Sequence, residues 1–521
     1  MQVILLNGVW RSGAAPMRSI GSYKVAHTLR KAGISVKVID FIDKHTRTEL
    51  VDLLKTFITD DTTWIGFSST FMAETIETPI RNADGTTTIL RRQRRAGINA
   101  EIDSAFCTIK ELYPSIKRVI GGVMADSLAA DDLKNFDYGF AGYAEGHAVN
   151  LHNFITSNNP VPMFKEHAPG FFLLSWPGLD APYNIQTDDF TWHDDDGVQP
   201  GETLPLETAR GCIFKCKFCS YPEIGKKKGE AVRRFEHVEH EIRRNYEKWG
   251  ITRYFMLDDT FNDDPDKVKE FRDMALTLPF KLEFSAYIRV DLVWTRPETA
   301  VWLKEAGLKA AFFGIESMHP SASKVVGKGW NGGPHAKPFI EKLRKEIWGD
   351  DVSIFLSYII GLTPETAESV IESYEWAKRI DIQSASFKAL FIRDIGKTGK
   401  YVSEFETDAA KYGYKVINII SKEDPVPRWE NSNNTNLSDR IACAKLERSL
   451  THGRREHNRL NEWTLLAYGT LGYAISDVAR IYETDIPFLQ AANIVAKEWR
   501  KRYFDEITSN QIAANQLLLT H

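Results

Sequence analysis

Short apolar segments alternate with amphipathic stretches over roughly the first 150 residues. Residues 19–33 have the spacing of an amphipathic helix that ends at Gly33. The apolar segments between such stretches have the length of strands: 3–7, 36–41, 64–69, 118–122 and 138–142. This alternation predicts a parallel sheet with helices on both faces, and such sheets bind ligands at their strand ends. Each glycine at a strand end also fits a simple tight turn.

The same alternation returns between residues 203 and 395. Helical stretches separate six further strand candidates: 204–209, 254–259, 282–289, 310–316, 353–361 and 384–392. Six strands joined by helices predict an open or partial α/β barrel. Because chemistry in such barrels lies at the carboxyl ends of the strands, residues that directly follow these strands are candidates for an active site.

Three regions lie outside these repeats. Residues 151–200 are rich in Pro, Gly and Asn and read as a linker, and residues 396–521 are rich in helical patterns. Residues 81–97 predict a hairpin turning at Asp84-Gly85, followed by a basic helix with Arg91, Arg92, Arg94 and Arg95. These arginines fit a solvated face or a site for a phosphate-bearing substrate or partner.

Composition excludes several classes of protein. The 521 residues are 43% hydrophobic and 26% charged, with a net charge of -4, so there is no global attraction to nucleic acid or anionic membranes. No segment approaches the length of a membrane span, and the start lacks the pattern of a signal peptide. We therefore expect a cytoplasmic protein with no membrane partner, in which thiols stay reduced and clustered cysteines bind metal or act in catalysis.

Three of the five cysteines cluster after the first strand of the second repeat. Cys212, Cys216 and Cys219 have C-x3-C-x2-C spacing, while Cys107 and Cys443 lie far away in sequence. A structural zinc site usually needs four protein ligands, and no second cysteine or histidine pair completes one here. Three thiolates in an active-site loop predict a metal centre with an open position, with structural zinc as the alternative.

The sequence CIFKCKFC resembles the signature of the radical S-adenosylmethionine (SAM) superfamily, with Phe218 as its aromatic residue. Asp258-Asp259, GIES at 314–317 and IIGLTPET at 359–366 resemble its cobalamin-binding subclass in order and spacing. This resemblance implies a flavodoxin-like, Rossmann-type domain at 1–150, a linker at 151–200, a partial (β/α)6 TIM-like barrel at 201–395 and a helical C-terminal domain at 396–521.

The resemblance also implies the roles of the site residues. Cys212, Cys216 and Cys219 would bind a [4Fe–4S] cluster, whose fourth iron would bind SAM and whose electron would cleave it to a 5′-deoxyadenosyl radical. Residues at the strand ends would hold SAM: Phe218, Asp258 or Asp259 for its amine, Arg289 for its carboxylate, Glu316 and Ser317 for its ribose, and Gly361 for its adenine. Each of these polar residues also fits a purely structural position at the rim of a barrel, and an aspartate there fits a helix cap.

In the N-terminal domain the resemblance implies cobalamin at the strand ends, with five candidate residues: Ser68, Ser69, Gly121, Gly122 and Gly142. The loop after the first strand contains no histidine, and His45 follows the second strand without the glycine of the usual D-x-H-x-x-G motif. A histidine ligand below the cobalt is therefore not predicted, and the family includes members without that ligand or without cobalamin.

Three functions remain open on the sequence alone. The first is cobalamin-dependent methylation of an unactivated carbon, and the second is a cobalamin-independent radical rearrangement, cyclisation or nucleotide modification. The third is a non-enzymatic iron–sulfur or zinc protein that binds nucleic acid through Arg91–Arg95. For an enzyme we expect a small-molecule or nucleotide substrate and a one-electron donor such as flavodoxin or ferredoxin.

Overall fold

The computed structural model describes most of residues 1–457. Within that range it leaves out residues 9–17, 41, 43–44, 71–74, 83, 94–97, 99, 123–124, 129, 158–163, 176–182, 199, 201, 222, 383, 394–401, 418–427 and 435. Two parallel sheets with helices packed against them form its two main layers, so the predicted α/β class is confirmed.

The first sheet has the strand order β2-β1-β3-β6-β7-β9-β8. Its strands are β1 (Val3–Leu6), β2 (Val36–Ile39), β3 (Trp64–Ser68), β6 (Lys117–Gly122), β7 (Tyr138–Ala141), β8 (Lys165–Ala168) and β9 (Phe171–Ser175). The helices between them are α1 (Ile20–Lys31), α2 (Arg47–Phe57), α3 (Ala100–Leu112), α4 (Ala130–Leu133) and α5 (Ala148–Ser157). The first five strands in this order are parallel and follow the doubly wound pattern, which places ligands at their carboxyl ends.

This sheet continues beyond the predicted boundary at residue 150. β9 pairs in parallel with β7, and β8 pairs with β9 in antiparallel fashion, so the predicted linker at 151–200 contains two strands of the sheet. Phe171, Leu173 and Leu174 of β9 are buried in the cores on the two faces of the sheet. The sequence pattern did not predict β9, because its short apolar run lies between Pro- and Gly-rich segments that are typical of a linker.

The second sheet contains six parallel strands in the order of the chain. They are β10 (Thr203–Leu206), β11 (Arg253–Met256), β12 (Glu283–Ile288), β13 (Leu308–Glu316), β14 (Ser353–Ile360) and β15 (Ser384–Ala389). The helices between them are α6 (Phe235–Trp249), α7 (Pro265–Leu276), α8 (Val290–Thr295), α9 (Glu298–Glu305), α10 (Pro320–Val325), α11 (Ala336–Lys342) and α12 (Ala367–Arg379). The carboxyl ends of all six strands therefore lie along one edge, where each is followed by a loop.

The predicted hairpin forms from β4 (Thr75–Arg81) and β5 (Thr87–Gln93). Asp84 accepts hydrogen bonds from the backbone N–H and the hydroxyl of Thr86, and Gly85 takes a φ of +80°, as the predicted turn requires. Arg91 and Arg92 lie in β5 and not in a helix, while Arg94 and Arg95 fall outside the described residues.

The C-terminal region is less purely helical than its sequence pattern indicates. Its described part contains α13 (Glu404–Thr407), α14 (Arg440–His457) and an antiparallel pair, β16 (Tyr414–Val416) with β17 (Trp429–Asn431). Trp429 is fully buried and Tyr414 packs against its ring, which explains why this short pair is stable. No helix in the described part of the chain is long and apolar enough to cross a membrane, and the cytoplasmic location stays a prediction.

Candidate functional site

The loop that carries the three cysteines is held by backbone contacts with the segment that follows it. Cys212 donates its backbone N–H to the Glu223 carbonyl (2.7 Å) and accepts one from Gly225 (2.6 Å). Gly211 has a φ of +74°, and a Cβ there would lie 2.5 Å from the Glu223 oxygen, so only glycine fits beside Cys212. The resulting tight turn presents all three thiols at the carboxyl end of β10, each partly exposed.

The three thiols lie within electrostatic reach of one another. Among the described residues, no three His, Cys, Asp or Glu side chains are placed to hold a single metal ion. A mononuclear zinc site requires such convergence, whereas in an iron–sulfur cluster each thiolate binds a different iron. Burial raises the pKa of Cys216 and raises that of Cys219 to about 11, so a bound cationic centre would be needed to hold them as thiolates.

Two cations lie beside Cys216. The Arg289 guanidinium donates from Nη1 to the Cys216 sulfur at 3.7 Å and stacks over the Phe214 ring at 3.7 Å. Arg289 also makes a forked pair with Asp291 at 2.9 and 2.6 Å. The second cation is Lys328. Its charge lowers the pKa of Cys216, although the larger effect of burial raises this pKa. Positive charge here favours the thiolates that a cluster requires.

Lys328 also fixes the end of β13. Its Nζ donates to the Gly314 carbonyl and to Glu316 Oε1, both at 2.8 Å, and lies 5.8 Å from the centre of the Phe218 ring. Glu316 has a φ of +62° at an irregularity in the pairing of β13 with β14. A non-glycine residue in this strained conformation persists only where its surroundings hold it, which is typical of functional positions.

The two predicted aspartates after β11 have different environments. Asp258 is buried and accepts hydrogen bonds from the Thr208 N–H (2.8 Å), its hydroxyl (2.6 Å) and the Ala209 N–H (3.0 Å), with Lys267 at 3.2 Å. Asp259 faces a cavity, and burial together with the neighbouring Asp258 raises its pKa to about 7. Asp258 therefore fixes the loop that leads to the cysteines, and Asp259 is the one that can meet a ligand.

The next strand ends are already packed. Ser317 donates its hydroxyl to Glu365 Oε1 at 2.5 Å and accepts the His319 N–H at 3.0 Å. Burial raises the pKa of Glu365 to about 8. Gly361 has a φ of +99°, and a Cβ there would lie 2.7 Å from the Cys443 sulfur and 2.8 Å from the Trp429 ring. The C-terminal region therefore closes directly over the end of β14.

A cavity of about 420 Å³ lies between the ends of the two sheets. From the second sheet and its loops, Gly211, Tyr221, Glu223, Phe255, Asp259 and Tyr287 line it. The first sheet contributes an apolar face and a rim of small residues: Leu5, Trp64, Gly66, Val119 and Phe140, with Ser68, Gly121, Gly122 and Gly142. Four of the five residues predicted for cobalamin therefore line the same cavity as Gly211 and Tyr221, which flank the cysteines. Of the predicted SAM residues, Asp259 alone is among the lining residues of this cavity in the described part of the chain.

The fifth, Ser69, has a supporting position. It is fully buried and donates both its N–H (2.8 Å) and its hydroxyl (2.9 Å) to the Gly121 carbonyl. Gly122 takes a φ of +136°, and a Cβ there would lie 2.6 Å from Thr70 Oγ1. Together these contacts keep the rim of the cavity free of side chains, as a flat macrocyclic ligand requires.

A buried ion network joins the two layers beside the cavity. Arg210, next to Gly211, donates to Glu145 at 2.6 Å and in a fork to Glu207 at 2.8 and 3.1 Å. Its guanidinium lies 4.0 Å from the centre of the Tyr143 ring. Although burial raises the pKa of Glu207, Arg210 and Lys24 lower it to about 2. Glu145 follows β7 of the first sheet and Arg210 precedes Cys212, so the network connects both halves of the cavity wall.

Residues 206–377 match the family model described as the radical SAM superfamily. This segment runs from the end of β10 to α12 and contains all three cysteines. The chain contains a radical SAM domain. The prediction of the superfamily is thereby confirmed.

Curated relatives are similar mainly over part of the chain. An uncharacterised methyltransferase of Pyrococcus horikoshii is 32% identical over 202 residues, which cover 37% of this chain and 39% of that protein. Cytidylyl-2-hydroxyethylphosphonate methyltransferase of Streptomyces wedmorensis is 27% identical over 205 residues, which cover 35% of this chain and 34% of that protein. The matches thus span well under half the length of these relatives.

Solved structures share the fold over a larger part of the chain. The radical SAM methyltransferase TsrM of Kitasatospora setae, with tryptophan and a SAM analogue bound, has a TM-score of 0.64 at 15% identity and covers 93% of this chain and 99% of its own. The cobalamin-dependent radical SAM enzyme OxsB has a TM-score of 0.51 at 15% identity and covers 79% of this chain and 56% of its own. The N-terminal sheet and the radical SAM domain are thus arranged as in TsrM.

Sequence reasoning missed three side chains that the structure brings to this site. Glu223 and Tyr143 line the cavity, and Lys328 faces Cys216 from the segment after α10. Lys328 follows Cys216 by more than 100 positions in the chain, and no local pattern marks it. Glu223 could have been noticed as a lone carboxylate in the loop directly after the radical SAM cysteines.

Proposed function

We propose that this chain is a radical SAM enzyme that methylates an unactivated carbon of a small molecule, with cobalamin as the methyl carrier. One observation carries the proposal: a single cavity is bounded by the cysteine loop on one side and by the glycine-rich ends of the first sheet on the other. This arrangement supports transfer between two cofactors without exposure to bulk water.

The residues around the cysteines fit a [4Fe–4S] cluster. The three thiols lie within electrostatic reach of one another, and Arg289 and Lys328 beside Cys216 form a cationic environment suited to a thiolate-bound cluster. When bound, the cluster would supply one electron to cleave SAM, and cobalamin would carry the methyl group. The chain's own part is to hold the thiolates, position SAM and exclude water.

For SAM we propose Asp259 as the acceptor for its amine, since the hydrogen-bonding capacity of Asp258 is taken up by Thr208, Ala209 and Lys267. Arg289 would bind the carboxylate with the face that it does not share with Asp291, and Phe218 and Glu316 would contact the nucleoside. A contact of Ser317 with the ribose stays a prediction, because Ser317 is fully buried and donates its hydroxyl to Glu365. Adenine against Gly361 stays a prediction, because the Cα of Gly361 faces Trp429 and Cys443.

We also propose the finer architecture. Six parallel strands in sequential order support a partial (β/α)6 barrel over residues 201–395. The order of β2, β1, β3, β6 and β7 supports a flavodoxin-like N-terminal domain, which β8 and β9 extend to Ser175. The linker would then follow β9, and the described residues between 402 and 457 would close the open side of the barrel.

Substrate and electron donor are proposals of the same kind. TsrM was solved with tryptophan, and the aromatic side chains of Tyr221, Phe255 and Tyr287 in the cavity wall are compatible with a small aromatic substrate. A nucleotide substrate is the alternative from the sequence, and flavodoxin or ferredoxin is the expected electron donor. The side chains of Arg91–Arg95, on which the nucleic-acid-binding alternative depends, lie outside the described residues.

Metal analysis of the full chain tests the proposal. Protein purified without oxygen from cells supplied with cobalamin should contain about four irons and one cobalt per chain. Cys216→Ala should lose iron and keep cobalt, because the cobalamin residues belong to the first sheet. Iron without any cobalt would reject the cobalamin part and leave a cobalamin-independent radical enzyme.

A further inference from the structure

Glu223 is a buried carboxylate whose hydrogen-bonding capacity is unused. The residue is 6% exposed and lines the cavity, and within the described structure neither carboxylate oxygen has a hydrogen-bond partner. Burial raises the pKa of Glu223 to about 7, against smaller lowering effects of Arg210 and of the nearby Tyr143 hydroxyl, which forms no well-aligned bond with either oxygen. A buried carboxylate without donors is costly, so the position implies a donor on the molecule that enters the cavity.

The surrounding cations do not supply that donor. Arg210 is committed to Glu145 and Glu207, and Lys24 to Glu207 and Asp188. The backbone of Glu223 is fixed by its bond to the Cys212 N–H at 2.7 Å, and its Cβ lies against Gly211. The side chain is therefore held in the cavity wall, with the Tyr143 hydroxyl as a nearby but poorly aligned donor.

The position of Glu223 narrows the kind of donor. SAM is expected at the ends of β11 to β14, and Glu223 lies in the loop after the cysteines, within electrostatic reach of Asp259 there and of Tyr143 of the N-terminal layer. Asp259 accepts the SAM amine in the proposed function, which leaves Glu223 for a donor on the side of Tyr143. On that side the wall consists of Gly121, Gly122 and Gly142, where the proposed function places the corrin. A corrin ring carries primary amides around its edge, and each amide presents N–H donors.

We propose that Glu223 is a cobalamin-binding residue that accepts a hydrogen bond from the amide of one of the three corrin propionamide side chains b, d and e. The inference rests on the proposed function and adds that the cysteine loop itself holds the corrin. Because Glu223 and Cys212 are joined through their backbones, one loop then sets the separation between the cluster and the corrin.

The test uses the full chain, reconstituted with iron and sulfide, and four ligands. These are hydroxocobalamin and its b-, d- and e-monocarboxylic acids, in each of which one propionamide is a carboxylate. Affinity is measured by anaerobic absorbance titration. If Glu223 accepts from one of these amides, the matching acid places two carboxylates in contact and should bind at least about tenfold more weakly than hydroxocobalamin.

Glu223→Gln should restore the affinity of that one acid to within about threefold of hydroxocobalamin, since an amide can donate to the carboxylate. Glu230→Gln, an exposed residue of the same loop, is the matched control and should not change the pattern. Equal binding of all four ligands, or a pattern that Glu223→Gln leaves unchanged, overturns the inference alone. Failure of the unaltered chain to bind hydroxocobalamin overturns the proposed function as well.

Discussion

Removing the Arg210 guanidinium should uncouple the two halves of the cavity wall. Arg210 is 7% exposed and Glu145 4% exposed, so Arg210→Ala leaves a buried carboxylate without its partner. Breaking such a buried pair costs about 3–5 kcal/mol of folding free energy. The contribution of Glu207 to this loss should be smaller, because Glu207 keeps its ion pair with Lys24. We therefore expect most of the loss to arise at Glu145, in the wall formed by the first sheet.

The assay is a double-mutant cycle by urea unfolding of the iron-free chain, with Arg210→Ala, Glu145→Ala and the double variant. The double variant should lose less free energy of unfolding than the two single variants lose together, by about 1–3 kcal/mol, since either change alone already removes the same contact. Arg272→Ala, which removes an exposed pair with Glu305, is the control and should give no measurable change. Additivity within about 0.5 kcal/mol would refute the assigned role of Arg210.

Four further outcomes are expected. Gly121→Leu should fold normally, because a Cβ at this position would meet only the Phe67 carbonyl, at 3.9 Å, but it should lose cobalt. Gly122→Ala should lower the free energy of unfolding by about 1–3 kcal/mol, because residue 122 has a φ of +136°. The raised pKa of Glu365 keeps this carboxyl protonated in the folded chain at pH values where it is ionised in the unfolded chain. Raising the pH from about 4.5 to 8 should therefore lower the free energy of unfolding of the unaltered chain more than that of Glu365→Gln. The difference between the two losses should be at most roughly 5 kcal/mol. Lys328→Met should lower the reduction potential of the cluster, measured in a redox titration that is followed by electron paramagnetic resonance. Lys324→Met changes an exposed lysine, serves as the control and should leave the potential unchanged. Equal potentials in the two variants would contradict the role of Lys328.

The sequence predicted both sheets because their buried strands are continuous apolar runs between amphipathic helices. It also located the cysteine loop and the strand-end glycines, which are local patterns. It missed β8 and β9, since Lys165–Ala168 is an exposed edge strand with no apolar run. The prediction of a helix for Arg91 and Arg92 was wrong, because both residues lie in β5. A run of charged residues lacks the spacing of apolar positions that distinguishes a helix from a solvent-facing strand.

Side-chain pairing could not be read from sequence. Asp258 and Asp259 are adjacent, yet one is buried under hydrogen bonds from Thr208 and Ala209 and the other faces the cavity. That difference depends on the twist of the chain after β11 and on residues about 50 positions away in the chain. Contacts of the same long-range kind bring Lys328 to Cys216.

The central claim is that the cysteine loop and the cavity beside it cleave SAM. The most direct test is to incubate the chain, reconstituted with iron, sulfide and cobalamin, with SAM and a low-potential reductant without oxygen, and to quantify 5′-deoxyadenosine. The account predicts that the unaltered chain forms it and that Cys216→Ala, with its cobalamin retained, does not. Equal amounts from both proteins, or none from an unaltered chain that holds four irons, would contradict the account.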